Sequence, residues 1–546
     1  MDFINANVRY NGNYDWKRAP INADSLGHTI QNSNQQQLNV QLNLNTLYNK
    51  WKFLEDIKNP RPKPPQPPKP PANKNDTAKK EKKKPEWKGA KFVINVLTSV
   101  ENFSVSYSED RGTMLPGWGR STQIIGMDPS FQAPGLAFVS GWQDPQFAQT
   151  AANNQWLVDR GALMYTYNRT MSKNLDFRSS AKPLKALRID LNANRRYGEN
   201  YTHQFFWDDQ TNPANPGYNF STPPNYTGNF SMTFIAINTA FVKDDKKNGY
   251  NSQVFQDFLK YRSIISQRLG SSHSQSYPLG DYYAGYGPTQ QEVMIYAFRS
   301  AYGGKDPNNA LLDNFPSIPL PNWRINYSGL TQYPFFRKYF RSFSINHAYR
   351  SSYNINSFTA NLLYTENGNG EPVTTDANNN FVNKFQIQTV SISEQFSPLA
   401  GFDATLQNSL ILKVEYKKDR NISLSLNNNQ ITEIKGQEFV IGTGYKFKNL
   451  KLPFKTAKPI VSDFDLRADF SIRSNNNLIR QIVDEITQIT GGQRVFTIKI
   501  TGDYKLSDKL TLRLYYDKVS TTPFISTTFP TGNTNFGFAL RFMLNQ

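Results

Sequence analysis

Few residues of this 546-residue chain have the types and spacing that chemistry needs. Its four histidines, His28, His203, His273 and His347, are scattered without metal-ligand spacing, which predicts ordinary surface or loop positions. The clearest acid pairs are Asp208-Asp209 and Asp244-Asp245. Adjacent carboxylates can share a proton in general acid–base work, but both pairs stand in polar loop contexts, which predicts solvated side chains. There is no G-x-S-x-G elbow, no phosphate loop and no H-E-x-x-H helix. The expectation is a protein that is not an enzyme and uses no cofactor or metal. Cysteine is absent, so no disulfide or thiolate site can form, and the redox compartment stays open.

The elements that would position any site read as strands. In Phe496–Lys518, Phe496, Ile498, Ile500, Tyr504 and Leu506 alternate with Thr497, Lys499, Thr501, Asp503 and Lys505. After Ser507–Lys509, Leu510, Leu512, Leu514 and Tyr516 alternate with Thr511, Arg513, Tyr515 and Asp517. The same period recurs at Leu466 and Phe470 against Arg467 and Asp469, and at Leu412 and Val414 against Lys413 and Glu415. Roughly 15–18 segments fit this template. Many run about 9–12 residues, nearer the length that crosses a bilayer than the globular average. Connections are very unequal, and short turns on one side with long loops on the other is an outer-membrane layout. The pattern predicts an all-β chain, a transmembrane antiparallel β-barrel with long loops and a small helical insertion. Ile498, Ile500, Leu510, Leu512, Leu514, Leu466, Phe470, Leu412 and Val414 are expected to face lipid. Lys499, Thr501, Thr511, Arg513, Arg467, Asp469, Lys413 and Glu415 are expected to face the lumen.

Composition fits this reading. Hydrophobic residues make up 38% and aromatics 14%, and mean hydropathy is −0.62. No window offers the roughly 20 apolar residues of a membrane helix. The net charge of +19 would suit nucleic acid, but its distribution argues against that partner. Residues 58–91 hold twelve Lys/Arg against three Asp/Glu, and the remaining basic charge is interleaved along strands. The N-terminus, MDFINANVRYNGNYDW, reads as a strand rather than a secretory signal. Either the protein stays inside the cell, or the sequence is a piece of a longer precursor.

Barrel strands are expected over 1–57, 92–110, 162–242 and 321–546, with insertions at 58–91, 111–161 and 243–320. The first insertion has eight prolines from Pro60 to Pro71 and then a lysine run, giving an extended arm and a basic linker. Its side depends on whether Ala90–Leu97 is a descending strand; the periplasmic side is favoured. The second insertion, rich in Gly, Pro, Trp and Phe, reads as a packed irregular loop. In the third, Val254, Phe255, Phe258, Leu259, Ile265 and Leu269 recur at helical spacing, with Gly270 as the expected C-terminal cap. A second helical run, Thr289–Gly304, also ends in glycine. The pair is expected to form a cap over the barrel mouth around its own core.

Several long strings resemble the C-terminal region of the SprA/Sov family. They are NFSVSYSEDRGTMLPGWG, VFQDFLKYRSIISQRLG, LPNWRINYSGLTQYPFFRKYFRSFSINHAYRSSYNINSF, EQFSPLAGFDATLQNSLILKVEYKKDRNISLSLNN and SDFDLRADFSIRSN. The resemblance covers most of the chain in order. It implies the outer-membrane translocon of type IX secretion in Bacteroidetes, tied to gliding motility. It further implies a very large single-chain barrel, of which this sequence is the C-terminal part. Implied partners are secreted cargo proteins, a PorV-type shuttle protein, a periplasmic plug protein and outer-membrane lipid. The final strand carries Phe536, Phe538, Leu540 and Phe542 in phase, but four residues follow Phe542. Two other readings stay open: a TonB-dependent or porin-like small-solute barrel, and a soluble β-rich surface binding protein.

Overall fold

The computed structural model describes residues 2–51, 98–159, 163–210, 216–451, 461–507, 509–525 and 528–543, together with 54, 94, 96 and 213. The expected insertion at 58–91 lies outside them. Alternating sequence becomes one antiparallel sheet of seventeen strands. In chain order these are β1 (Ile4–Lys17), β2 (His28–Asn43), β3 (Val100–Trp118), β4 (Tyr165–Leu184), β5 (Leu187–Asp208), β6 (Gly217–Asn219) and β7 (Asn225–Thr233). After β8 (Pro278–Leu279) and β9 (Tyr282–Tyr283), which pair separately, come β10 (Asn322–Tyr327), β11 (Phe340–Ala360), β12 (Phe385–Ile387) and β13 (Thr389–Leu406). The sheet continues with β14 (Ile411–Ser425), β15 (Gln430–Lys451), β16 (Val461–Gln481), β17 (Thr487–Lys505), β18 (Leu510–Pro523) and β19 (Thr531–Phe542).

Sequence neighbours pair from β1 to β5 and from β13 to β19. Between β5 and β11 lies one row shared by two strands. β7 pairs with Arg195–Thr202, and β10 continues the row against Leu187–Asn192. The Leu320 amide donates to the Thr233 carbonyl across the break. The third insertion therefore leaves from the middle of a strand row and returns to it. Among the described residues, no register joins β19 to β1.

The long strands exceed expectation: β5 and β15 have 22 residues each and β16 has 21. At about 3.3 Å per residue these are roughly twice what a bilayer needs. Two ends can be told apart. The turns at Lys185-Ala186 and Gln407–Leu410 mark a hairpin end, and β2 and β3 are joined there too, since Asn43 faces Asn102. The two strand ends that flank residues 58–91 in sequence thus lie at the hairpin end. β2 and β3 pair directly, and Ala90–Leu97 lies outside the described residues except for 94 and 96. The opposite end carries the 119–164 loop, but also short turns at 426–429 and 482–486. The expected division into short and long sides is therefore mixed. Asn429 closes one of these turns at φ 47°, a left-handed conformation that asparagine tolerates.

One insertion boundary and one helix end move. β3 runs to Trp118, so the irregular loop starts there rather than at 111. The first helix of the third insertion, Gln253–Ser271, passes through Gly270 and is capped at Ser272. Gly270 serves close packing instead, because a Cβ there would meet the Tyr283 ring. The second helix, Gln291–Gly303, does end on a left-handed glycine, Gly304 at φ 61°.

Candidate functional site

Successive side chains in a strand point to opposite faces. Cross-strand registers therefore carry one face across the whole sheet. Leu466 lies opposite Tyr445, Phe470 opposite Ile441 and Ile498, and Ile500 opposite Tyr516. Leu512 lies opposite Tyr504 and Leu540, Leu514 opposite Phe538, and Leu510 opposite Phe542. Leu412 and Val414 reach the same face through Thr443 and Ile441. The nine residues expected to face lipid thus share one face. Lys499, Thr501, Thr511, Arg513, Arg467, Asp469, Lys413 and Glu415 share the other.

On the first face an apolar belt occupies the part of each strand near the hairpin end. It is half-exposed or exposed; Ile441, Phe470 and Leu514 are 40%, 37% and 46% accessible. In β16 it runs from Phe464 to Ile472, about nine residues or roughly 30 Å before tilt. The belt has a sharp upper border. Tyr107 is followed two residues on by Glu109, Tyr416 by Lys418 and Tyr516 by Lys518, all on the same face. A tyrosine row between aliphatic and charged side chains is what an interface between hydrocarbon and water selects.

Beyond that border the same face is covered. The 119–164 loop lies over β1–β5, burying Ile30, Leu115, Trp118, Phe138 and Phe147 together. Asn32 Nδ2 donates to the carbonyls of Phe138 and Trp142 at 2.8 and 2.9 Å, and Asn34 Nδ2 to Gly141 at 2.7 Å. Gly12 admits this contact, since a Cβ there would strike the Ser140 carbonyl. The third insertion packs its two helices over β7, β11 and β13–β15, joining Phe258, Met294 and Phe298 to Tyr353, Ile392, Ile422, Leu424 and Ile431 in one core. This corrects the expected cap over the mouth with its own core. The helices dock on the wall of the sheet and share its core.

Charges inside this covered region fix the docking. Arg420 Nε donates to Glu394 at 2.6 Å, and its other nitrogens reach the Thr239 and Ala236 carbonyls at 3.0 and 2.8 Å. Arg480, fully buried, donates to Glu433 at 2.7 Å, Asp244 at 2.9 Å and the Tyr250 carbonyl at 3.0 Å. Lys435 joins Asp244 and Glu433 at 2.7 and 2.8 Å, and the Tyr302 hydroxyl donates to Glu433 at 2.7 Å. Burial, with Glu433 next in weight, holds the Tyr302 phenol well above its ordinary range. Asp244 is therefore an anchor rather than a solvated loop acid. Local sequence held no sign of this, because Arg480 lies 236 residues away. Asp208 keeps a loop role, accepting from the Gln210 amide and Asn219.

Of the histidines, His273 lies in a loop but is buried, and the other three are half-buried. His273 is buried against Phe381 with Nε2 on the Pro372 carbonyl, and His347 Nδ1 meets the Leu399 carbonyl at 2.7 Å. His203 contacts the Phe220 and Thr222 carbonyls, and His28 accepts from the Ala19 amide and packs on Trp16. Among the described residues no His/Asp/Glu group is arranged to hold a metal.

The polar face carries charge in pairs. Lys413 and Lys417 flank Glu415 at 3.0 and 3.4 Å, Arg473 meets Asp419 at 2.9 Å, and Arg513 meets Asp503 at 2.6 Å. Asp469, Lys499 and Asp517 stand in one cross-strand row. Self-neutralised charge on a broad polar wall holds water without a strong field of one sign.

No family model and no curated protein matches the chain. Solved structures that align over 91% of it include the RagAB peptide transporter, at 8% identity and TM-score 0.26, and the RagAB peptide importer in the "open-open" state, at 6% and 0.28. The chain spans 47% and 46% of those chains, about half their length. At these scores the alignments carry no argument.

Proposed function

We propose that this chain is a wall segment of a bacterial outer-membrane protein conduit, with lipid against its apolar belt and water and cargo against its polar face. One observation carries the reading: a continuous sheet bears an exposed apolar belt about one bilayer thick on one face and paired charges on the other. An exposed apolar surface of this extent needs a hydrocarbon or protein partner. A sheet wall satisfies backbone hydrogen bonds strand to strand, which permits a water-filled passage within a bilayer. Such a wall acts by shape and hydration, and the reading assigns no catalytic step. The covered half then stands clear of the membrane, and both insertions, docked on the outer side, leave the passage unobstructed by their own packing.

The resemblance to the SprA/Sov family supports the finer reading: type IX secretion, moving folded or partly folded cargo from periplasm to surface. A PorV-type shuttle and a periplasmic plug are the proposed partners, and further strands would complete the barrel at the edges of β1 and β19. Spin labels at Ile500 and Lys499 test the membrane assignment. In native membranes, Ile500 should be relaxed by oxygen and Lys499 by a water-soluble nickel chelate. Equal accessibility to both agents at the two sites would overturn it. Loss of the chain should strand secreted cargo in the periplasm; loss of small-solute uptake with secretion intact would favour a porin-like barrel.

A further inference from the structure

At one place on the polar face several arginines gather around a single carboxylate. A cavity of about 700 Å³ opens there, lined by side chains from β3, β4, β5, β10, β11 and β13. Its wall holds Arg178, Arg188, Arg324 and Arg350 against a single carboxylate, Asp190. Arg188 engages Asp190 through Nε at 2.9 Å. Arg324 stands directly across from Asp190, and Arg178 across from Asn192 and Ser104. Arg350 faces Gln395. Among the described residues, no carboxylate forms an ion pair with Arg178, Arg324 or Arg350. The rest of the lining combines short polar side chains, including Asn102, Ser180 and Ser397, with Leu191, Trp323 and Tyr349.

The backbone builds this hollow. β13 bulges between Phe396 and Ala400, where its register slips against both β11 and β14, while β11 keeps an unbroken register with β10 from Ile345 to Tyr349. A bulge bends the sheet at this level. The contact of His347 Nδ1 with the Leu399 carbonyl ties the bulge to β11. Gln395 and Ser397 of β13, with Ala348 and Arg350 of β11 beside them, form one rim of the cavity.

We propose that this cavity is a binding station for acidic polypeptide segments. Guanidinium groups grip carboxylates through paired N–H donors, and several on a concave wall suit a chain carrying successive Asp or Glu side chains. The volume exceeds what one inorganic anion fills, and the position, behind the belt residues Leu191 and Trp323, is at the level of the apolar belt. The inference rests on the polar face being the wall of a conduit and adds what that wall recognises. Transient grip on acidic stretches would hold a segment in the passage, and bulk salt would weaken it.

Binding by the full chain in detergent micelles tests this without requiring transport. A fluorescein-labelled oligoglutamate peptide should bind in a salt-sensitive way, and its oligoglutamine counterpart should not. Arg178→Gln/Arg324→Gln/Arg350→Gln should weaken binding by about tenfold or more, the scale of lost charged hydrogen bonds. A control that removes the same charge from the same face, Lys413→Gln/Lys446→Gln/Arg473→Gln, should leave it nearly unchanged. Circular dichroism confirms that each variant is folded, and Arg350→Lys, which keeps charge but not the fork, should give an intermediate loss. Equal weakening by the control triple would replace the site with diffuse attraction and overturn the proposal. So would equal binding of both peptides, or displacement by inorganic phosphate as effective as by unlabelled oligoglutamate. Peptide binding that survives while the spin labels reject a membrane wall would sink the conduit reading and leave the site standing.

Discussion

β14 holds two versions of the same surface. Leu412 and Val414 sit half-exposed near the hairpin end, whereas Ile422 and Leu424, eight and ten residues along the same face, are fully buried. Side-chain type does not separate them; what covers them does. Above the tyrosine border, protein supplies the cover and fixes it with buried charge. Below it, no part of the described chain does. An alternating strand therefore announces that one face will be dry without saying whether protein or lipid dries it.

The comparison can be broken most severely at the buried charges of the covered half. Arg480→Ala should destabilise the docked insertion by about 3–5 kcal/mol, because Glu433 and Asp244 would be left buried with Lys435 as their one remaining cation. Hydrogen exchange should then show faster opening of the helices at 253–271 and 291–303 with the belt strands still protected. Opening of both regions together would mean that the two halves are one cooperative unit.

In the bare half, Leu512→Arg should cost roughly 2–4 kcal/mol of membrane assembly if the belt meets lipid. Its neighbour on the opposite face is the internal reference. Arg513→Leu removes an exposed pair with Asp503 and should leave assembly, read by heat-modifiable gel migration, unchanged. Equal damage at both positions would erase the distinction between faces.

The smallest expected effect sharpens the description of the insertion. Glu292 opens the second helix, and burial pushes its carboxyl up to about 7, against a hydrogen bond with Asn383 that lowers it. A raised carboxyl pKa favours the protonated fold. Its stabilising contribution is complete below the ordinary glutamate pKa of about 4.3 and is lost as pH rises through 7. The insertion should therefore be better protected at pH 5 than at pH 8, after correction for intrinsic exchange, and Glu292→Gln should flatten the difference. A profile that Glu292→Gln leaves intact would assign the titration to another group.

Much of the fold was legible because its information is local. The period of two set strands, faces and their polarity from Phe496 to Lys518 without reference to any other segment. Helical spacing from Val254 to Leu269 likewise marked its helix, although the cap fell at Ser272 because Gly270 was needed against Tyr283. Strand length was underestimated at β3, where Asp110–Trp118 has loop-like Gly and Pro but gains partners from β2 as far as Trp118 and from β4 as far as Met114. Asp244 and the burial of His273 escaped local reading for the same reason: their environments are made by segments far away in the chain.

By itself, then, the sequence determined that these strands have one dry and one wet face, since side-chain alternation is a property of each segment alone. Only the tertiary structure decided where the dry face is covered, where buried charges lock that cover, and where arginines gather beside the β13 bulge around one carboxylate. Those outcomes depend on contacts such as Arg420 to Ala236, separated by 184 residues. A local period carries no record of which distant segment will come to lie against it.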